Sequence, residues 1–146
     1  MRAEDSAKWL RHIRRKQMEI AVLKERVSTL DGMMRGLDYT TPRVSSPPNV
    51  DAVPEYVIKL DDAKKRYEDL VEAYAQEVIE AHDAIYKLDN PLHRIVLELY
   101  YLDGKKWEEI SLEPDTQYSV DYLKHLSHDA RELLWWHIPT EWRTRH

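Results

Sequence analysis

NPLHRIVLELYYLDGKKWEEISLEPDTQYSVDYLKHLSHDARELL, residues 90–134, is the stretch that decides the fold. Asn90 is a capping residue, and Pro91 presets φ at a first helical position, where no amide donor is needed. Leu92, Ile95, Leu99 and Leu102 then recur at helical spacing with Val96 widening the stripe, and Asp103-Gly104 closes the element. Trp107 and Ile110 mark the buried side of a second short helix, where Ser111 is small enough to admit a neighbouring backbone. Pro114 stops it. Ser119 fits an N-cap, and Leu123, Leu126, Ala130 and Leu133 form the inner stripe of a third helix. On a helical projection His125, His128, Asp121 and Glu132 point away from that stripe, flanked by Lys124 and Arg131. Two short helices joined by a turn, the second with a polar outer side, make a helix-turn-helix.

The run Leu99-Tyr100-Tyr101-Leu102-Asp103-Gly104, followed by Trp107-Glu108-Glu109-Ile110, Tyr118-Ser119 and a Leu/Ala-periodic helix, resembles the region-4 helix-turn-helix of sigma-70-type factors. More narrowly, the layout is similar to phage late transcriptional regulators of the ArpU/RinA type, in which a long helical N-terminal part precedes that domain. The specific part of the resemblance covers about 99–134. Tyr100 stands where the family usually has an arginine. The interval from Ile110 to Ser119 is also longer than usual there, which predicts a turn enlarged by Glu113-Pro114-Asp115.

Outward from this module, Trp9, Ile13, Ile20, Leu23, Val27, Leu30, Met34 and Leu37 follow a coiled-coil seam in which Lys16 is the polar position. The spacing predicts one long helix over 1–37, about 45 Å long if roughly 30 residues are helical, and a partner helix to cover it. Lys16 either sets register or snorkels at the seam edge. Arg11, Arg14, Arg15 and Lys16 are the densest basic run, read either as a solvated helix face or as a phosphate-contacting arm. A Pro/Ser-rich linker follows at 38–54. A second long helix spans 55–89, with its seam on Leu60, Ala63, Tyr67, Leu70, Tyr74, Val78, Ala81, Ile85 and Leu88 and a stutter at Tyr74 to Val78. Residues 90–146 complete the chain as the helix-turn-helix domain with a Trp-rich tail. There Trp135, Trp136, Ile138, Pro139 and Trp142 are expected to cover the small domain or pack on the long helices, with an anchor surface for a partner as the alternative.

Composition bounds the class. Among 146 residues there are three glycines and no phenylalanine, and apolar residues fall at helical spacings, so the expected fold is all-α: a long N-terminal helical hairpin or coiled coil before a small C-terminal helix-turn-helix domain. Cysteine is absent, which excludes disulfides and thiolate metal ligands. With no signal peptide and no apolar run long enough for a bilayer, a soluble cytoplasmic protein is expected, with no membrane partner, and the phage resemblance implies that the cytoplasm is that of a bacterial host cell. The net charge of −5 is uneven. Residues 1–37 carry nine Lys/Arg against five Asp/Glu, 38–90 carry six against twelve, and 90–146 carry seven against ten. The acidic second helix can therefore pair with the basic first.

No phosphate-cradling glycine loop, paired-histidine metalloprotease signature or thiol nucleophile is present, and the carboxylates are spread over helix surfaces. No catalytic residue, cofactor or metal is expected. His125 and His128 share a face but lack further ligands at zinc spacing.

The resemblance implies a phage or prophage DNA-binding transcriptional regulator, an activator of late genes, that binds promoter-upstream duplex DNA and contacts host RNA polymerase. Lys124, His125, His128 and Arg131 are the candidate contacts in the major groove. Tyr118 and Ser119 are the candidates for holding a phosphate, and Lys105 and Lys106 for touching the backbone. Trp107, Ile110, Leu123 and Leu126 hold the helices together. Burial of the long seams implies a homodimer, with pairing inside or between chains left open. The acidic balance over 90–146 supports an alternative, an adapter that binds RNA polymerase or another regulator with little DNA affinity. A purely structural coiled coil leaves the capped module unexplained.

Overall fold

The computed structural model describes residues 1–36 and 54–144; Leu37, the linker up to residue 53, and residues 145–146 lie outside them. Every regular element among the described residues is helical, so the protein is all-α. Five α-helices run in order: α1 (Arg2–Gly36), α2 (Glu55–Tyr86), α3 (Pro91–Leu97), α4 (Trp107–Leu112) and α5 (Val120–Leu134). A π-helical turn, Glu98–Leu102, extends α3, and single 3-10 turns occupy Pro114–Thr116 and Thr140–Trp142. No described helix is long and apolar enough to cross a membrane.

The chain forms two compact units. One is Glu19–Tyr74, the other Met1–Met18 with Ala75–His146. The domain boundary drawn at residue 90 from the sequence thus falls inside the second of these.

Within Glu19–Tyr74, Ile20, Leu23, Val27, Leu30 and Met34 are half-buried along α1, as their spacing predicts. On α2 the seam differs from the expected one. Leu70 is 40% exposed, whereas Lys64 and Val71 are half-buried and Val57 is buried. The run Val57, Leu60, Lys64, Tyr67, Val71, Tyr74, Val78, Ala81, Ile85, Leu88 then alternates steps of three and four throughout, and no stutter remains. Hydrophobicity alone passes over Lys64, whose stem lies at the seam while its ammonium meets Asp31 of α1 at 3.0 Å. That ion pair joins the two long helices within one chain. It raises the Lys64 pKa and lowers that of Asp31, each chiefly through their mutual hydrogen bond.

The other unit is a globular helical core. Trp9, Leu10 and Ile13 of α1 meet Ala81, Ala84 and Ile85 of α2, Leu97, Tyr101 and Leu102, and Ala130 and Leu134 of α5. Each large apolar side chain buried in this way stabilises by roughly 1.5–3 kcal/mol. The first four turns of α1 are therefore core rather than seam: Ala3, Asp5, Ser6 and Ala7 are buried beside Trp9, Leu10 and Ile13.

Asn90 caps α3, its Oδ1 accepting from the Leu92 amide at 2.9 Å. The buried positions are His93, Val96, Leu97, Tyr101 and Leu102, while Leu92, Ile95 and Leu99 are only half-buried. The expected stripe is displaced because this element has a core on each side: Leu97, Tyr101 and Leu102 face the one above, and Val96 faces a smaller cluster with Ile110, Leu123 and Leu126. The π turn advances the register by one residue, with the Asp103 amide donating to the Glu98 carbonyl at 2.8 Å.

On α5, Leu123, Leu126 and Ala130 are buried as expected, but Leu133 is 51% exposed and Leu134 is fully buried. At 100° per residue Leu134 lies about 20° from Leu123 and Leu133 about 80° away, so the geometry selects Leu134. In the tail Ile138 is buried, Trp135 and Trp142 pack against the core, and Trp136 is 55% exposed. The expectation that the tryptophans cover this domain thus fails for Trp136. Arg2 lies 5.2 Å from the Trp135 ring and 4.8 Å from the Trp136 ring.

Candidate nucleic-acid interface

The turn between α4 and α5 is held by side chains. Thr116, fully buried, donates its hydroxyl to the Ile110 carbonyl at 2.6 Å, and Ser111 donates to the Tyr118 carbonyl at 2.7 Å. The Glu113 amide also donates to the Ile110 carbonyl, at 3.1 Å, so this one of the C-terminal carbonyls that α4 leaves open gains two partners. The expected enlargement at Glu113-Pro114-Asp115 takes the form of the 3-10 turn Pro114–Thr116.

α5 starts where its sequence predicts. The Ser119 hydroxyl accepts from the Tyr122 amide at 3.2 Å. Val96, Ile110, Leu123 and Leu126, with Trp107 partly buried beside them, hold α3, α4 and α5 together. With its inner side committed, α5 leaves Asp121, Tyr122, Lys124, His125, His128 and Asp129 exposed.

The candidate contact residues fall into three groups. Lys124, His125 and His128 lie on the open side of α5, with His128 3.9 Å from Glu132. Arg131 does not share their freedom: it is half-buried, its Nε donates to the Ser127 carbonyl at 3.2 Å, and its own carbonyl accepts from Ser6 of α1 at 2.8 Å. Glu132, on the same turn, accepts from the Ala3 amide at 3.3 Å. The start of α1 therefore covers the last turns of α5 and leaves its first turns open.

Tyr118 and Ser119 are exposed at the N-terminus of α5. The Tyr118 amide is occupied by the Thr116 carbonyl at 2.7 Å, and its ring lies 4.9 Å from that of Tyr122. Lys105 and Lys106 lie just before α4, away from α5's own side chains in sequence. Lys105 pairs with Glu113, a hydrogen bond that raises its pKa, while the Lys106 amide donates to Glu109 at 3.4 Å and its side chain is exposed.

Sequence reasoning missed Thr116, Tyr122 and Asp5. A threonine two residues after Pro114 carries a weak signal for a turn closed by its hydroxyl. Tyr122 follows Tyr118 by one helical turn, a spacing that brings the rings together. Asp5 has no local signal: its carboxylate accepts from the Trp135 indole at 2.9 Å and from the Thr144 amide and hydroxyl at 2.8 and 2.6 Å, across nearly the whole chain. Burial raises its pKa, but the Thr144 and Trp135 hydrogen bonds and the charge of Lys8 outweigh this and hold it below the usual 3.8. Among the described residues no cluster of three or more His, Cys, Asp or Glu side chains is arranged to hold a metal ion.

No family model, no curated protein and no solved structure matches the chain.

Proposed function

We propose that this protein is a phage or prophage transcriptional regulator that binds promoter-upstream duplex DNA with the first turns of α5 in the major groove. The observation that carries this reading is the combination at α4 and α5: a hydroxyl-locked turn, a capped helix packed on one side, and an opposite side left to solvent with Lys124, His125 and His128 on it. A helix presented in this way offers donors to base edges, while cations nearby supply the sequence-independent attraction to phosphates. The late-gene activator role and contact with host RNA polymerase rest on the resemblance of residues 99–134 to region 4. A homodimer through the long helices is supported by Val22, Met33, Tyr56, Ile58 and Leu70, which stay exposed in the single chain. Two copies would read two half-sites.

Selection of bound duplexes from a random pool tests the reading. A recovered motif whose affinity falls steeply with salt is the expected result. A pool that stays random, with no duplex retained at low salt, would refute it.

The adapter reading has its own observation. Leu112 at 81% exposure stands near Tyr118 and Tyr122 in sequence and on the same module, and Leu133 and Trp136 are exposed at the end of α5, apolar surface on an acidic domain. Capture of a polymerase subunit by a protein that retains no duplex would favour it.

A further inference from the structure

The basic run on α1 and the lysine pair before α4, some ninety residues apart in sequence, line one cleft. Arg11, Arg14, Lys105 and Lys106 all line it, and its volume is about 380 Å³. Tyr100, Tyr101 and Gly104 complete the lining. All of these residues belong to the same compact unit.

Four cations around one opening repel each other, and in a chain of net charge −5 composition alone does not put them there. Carboxylates answer part of the charge: Glu4 meets Arg11 at 3.2 Å, Glu113 takes Lys105, and Asp103 and Glu109 also act on Lys105. Arg14 makes no carboxylate contact among the described residues. Its guanidinium is instead oriented by the Leu102 carbonyl at 2.9 Å and by Gly104, which has φ of +70° and no β-carbon to keep it away. An arginine positioned by backbone rather than by an ion pair, and lining a cleft, is organised for a multidentate anion before that anion arrives.

We infer that this cleft binds a backbone phosphate of duplex DNA, so that α1 contributes a second, sequence-independent contact beside the helix that reads bases. The inference rests on the DNA-binding reading of α5. It adds a partner surface from α1, which a helix-turn-helix by itself does not include. Arg14 holds the phosphate oxygens through its N–H donors, Lys106 and Arg11 add positive charge to the same cleft, and Lys105 stays with Glu113.

The test uses the full chain and the double variant Arg11→Gln with Lys106→Gln, both exposed positions whose loss leaves the fold intact by circular dichroism. A mixed-sequence duplex of about 20 base pairs and the selected operator are titrated over a range of salt. The expected result is a loss on the order of tenfold on both duplexes alike at low salt, with the salt slope reduced by about one, as one phosphate contact requires. A matched variant, Lys124→Gln with His125→Gln, separates the two ideas by losing operator preference but not mixed-sequence affinity. If the α1 variant binds both duplexes like the wild type while the α5 variant loses preference, the cleft assignment is overturned and the DNA-binding reading stands. If only the α1 variant loses affinity and no operator emerges, the cleft stands and the role of α5 does not. Inorganic phosphate is the second probe: chemical-shift changes at Tyr100 and Gly104 on phosphate addition, without any duplex binding, would reassign the cleft to a small free anion and overturn the backbone contact.

Discussion

Gly104 and Arg14 are in contact such that a β-carbon on Gly104 would stand 2.3 Å from an Arg14 terminal nitrogen and 2.7 Å from its Cζ. The same glycine has the single positive φ among the described residues. Gly104→Ala therefore meets two costs: a left-handed backbone that penalises a β-carbon by about 1–2 kcal/mol, and displacement of the guanidinium from the Leu102 carbonyl. Urea denaturation should show a loss of about 1–3 kcal/mol, of which the double variant with Arg14→Gln recovers only the part due to the clash. Equal stability of Gly104→Ala and wild type would contradict this account of the turn.

Ser119→Ala should lower stability by about 1 kcal/mol, because the Tyr122 amide loses its acceptor at the start of α5, and Ser119→Asp should restore it. Leu123→Ala is expected to cost more, about 2–5 kcal/mol, from a fully buried position between three helices. Thermal melts of the three variants rank these effects. The ranking matters for function, since loss of DNA binding in Leu123→Ala would report unfolding rather than a lost contact.

Asp5 ties the start of α1 to Trp135 and Thr144, and its folded pKa lies below the unfolded value. A depressed carboxylate pKa contributes stability that is fully present above the unfolded value and is lost as pH falls through the folded one. The window is thus below about pH 4. At neutral pH Asp5→Asn should be less stable than wild type, on the order of 1–3 kcal/mol. The gap should narrow as pH is lowered from 4 to 2, where wild type loses the charge too. Asp31 also has a depressed pKa, so the difference between variant and parent, not the acid transition itself, is the quantity to follow. A gap that stays constant across that range would remove the assignment.

Where the sequence was legible, the signals were local. Asn90, Pro114 and Ser119 mark helix ends because capping and proline chemistry act within three residues. The α1 seam from Ile20 to Met34 was readable for the same reason. What was hidden depends on partners distant in sequence. Lys64 joins the seam only because Asp31 waits opposite, and Leu134 displaces Leu133 because the helix period, not the hydrophobicity, chooses between adjacent leucines. Arg131 looked outward on a projection of α5 alone, yet Ser6 and Ala3 close over that turn. The convergence of Arg11 and Arg14 with Lys105 and Lys106 likewise requires the packing of α1 on the π turn, which no window of neighbouring residues contains.

That cover over the end of α5 separates the candidate contacts into two experimental classes. Arg131→Gln should leave base preference at the selected operator within about threefold of wild type, since the side chain is turned onto the Ser127 carbonyl and packed near α1. Lys124→Gln and His125→Gln, one turn or more earlier and open to solvent, should each weaken operator binding by about 1–3 kcal/mol if they reach base edges. Fluorescence anisotropy against the selected operator checks both classes. A loss of preference in Arg131→Gln with stability unchanged would mean that the start of α1 moves aside when the duplex binds.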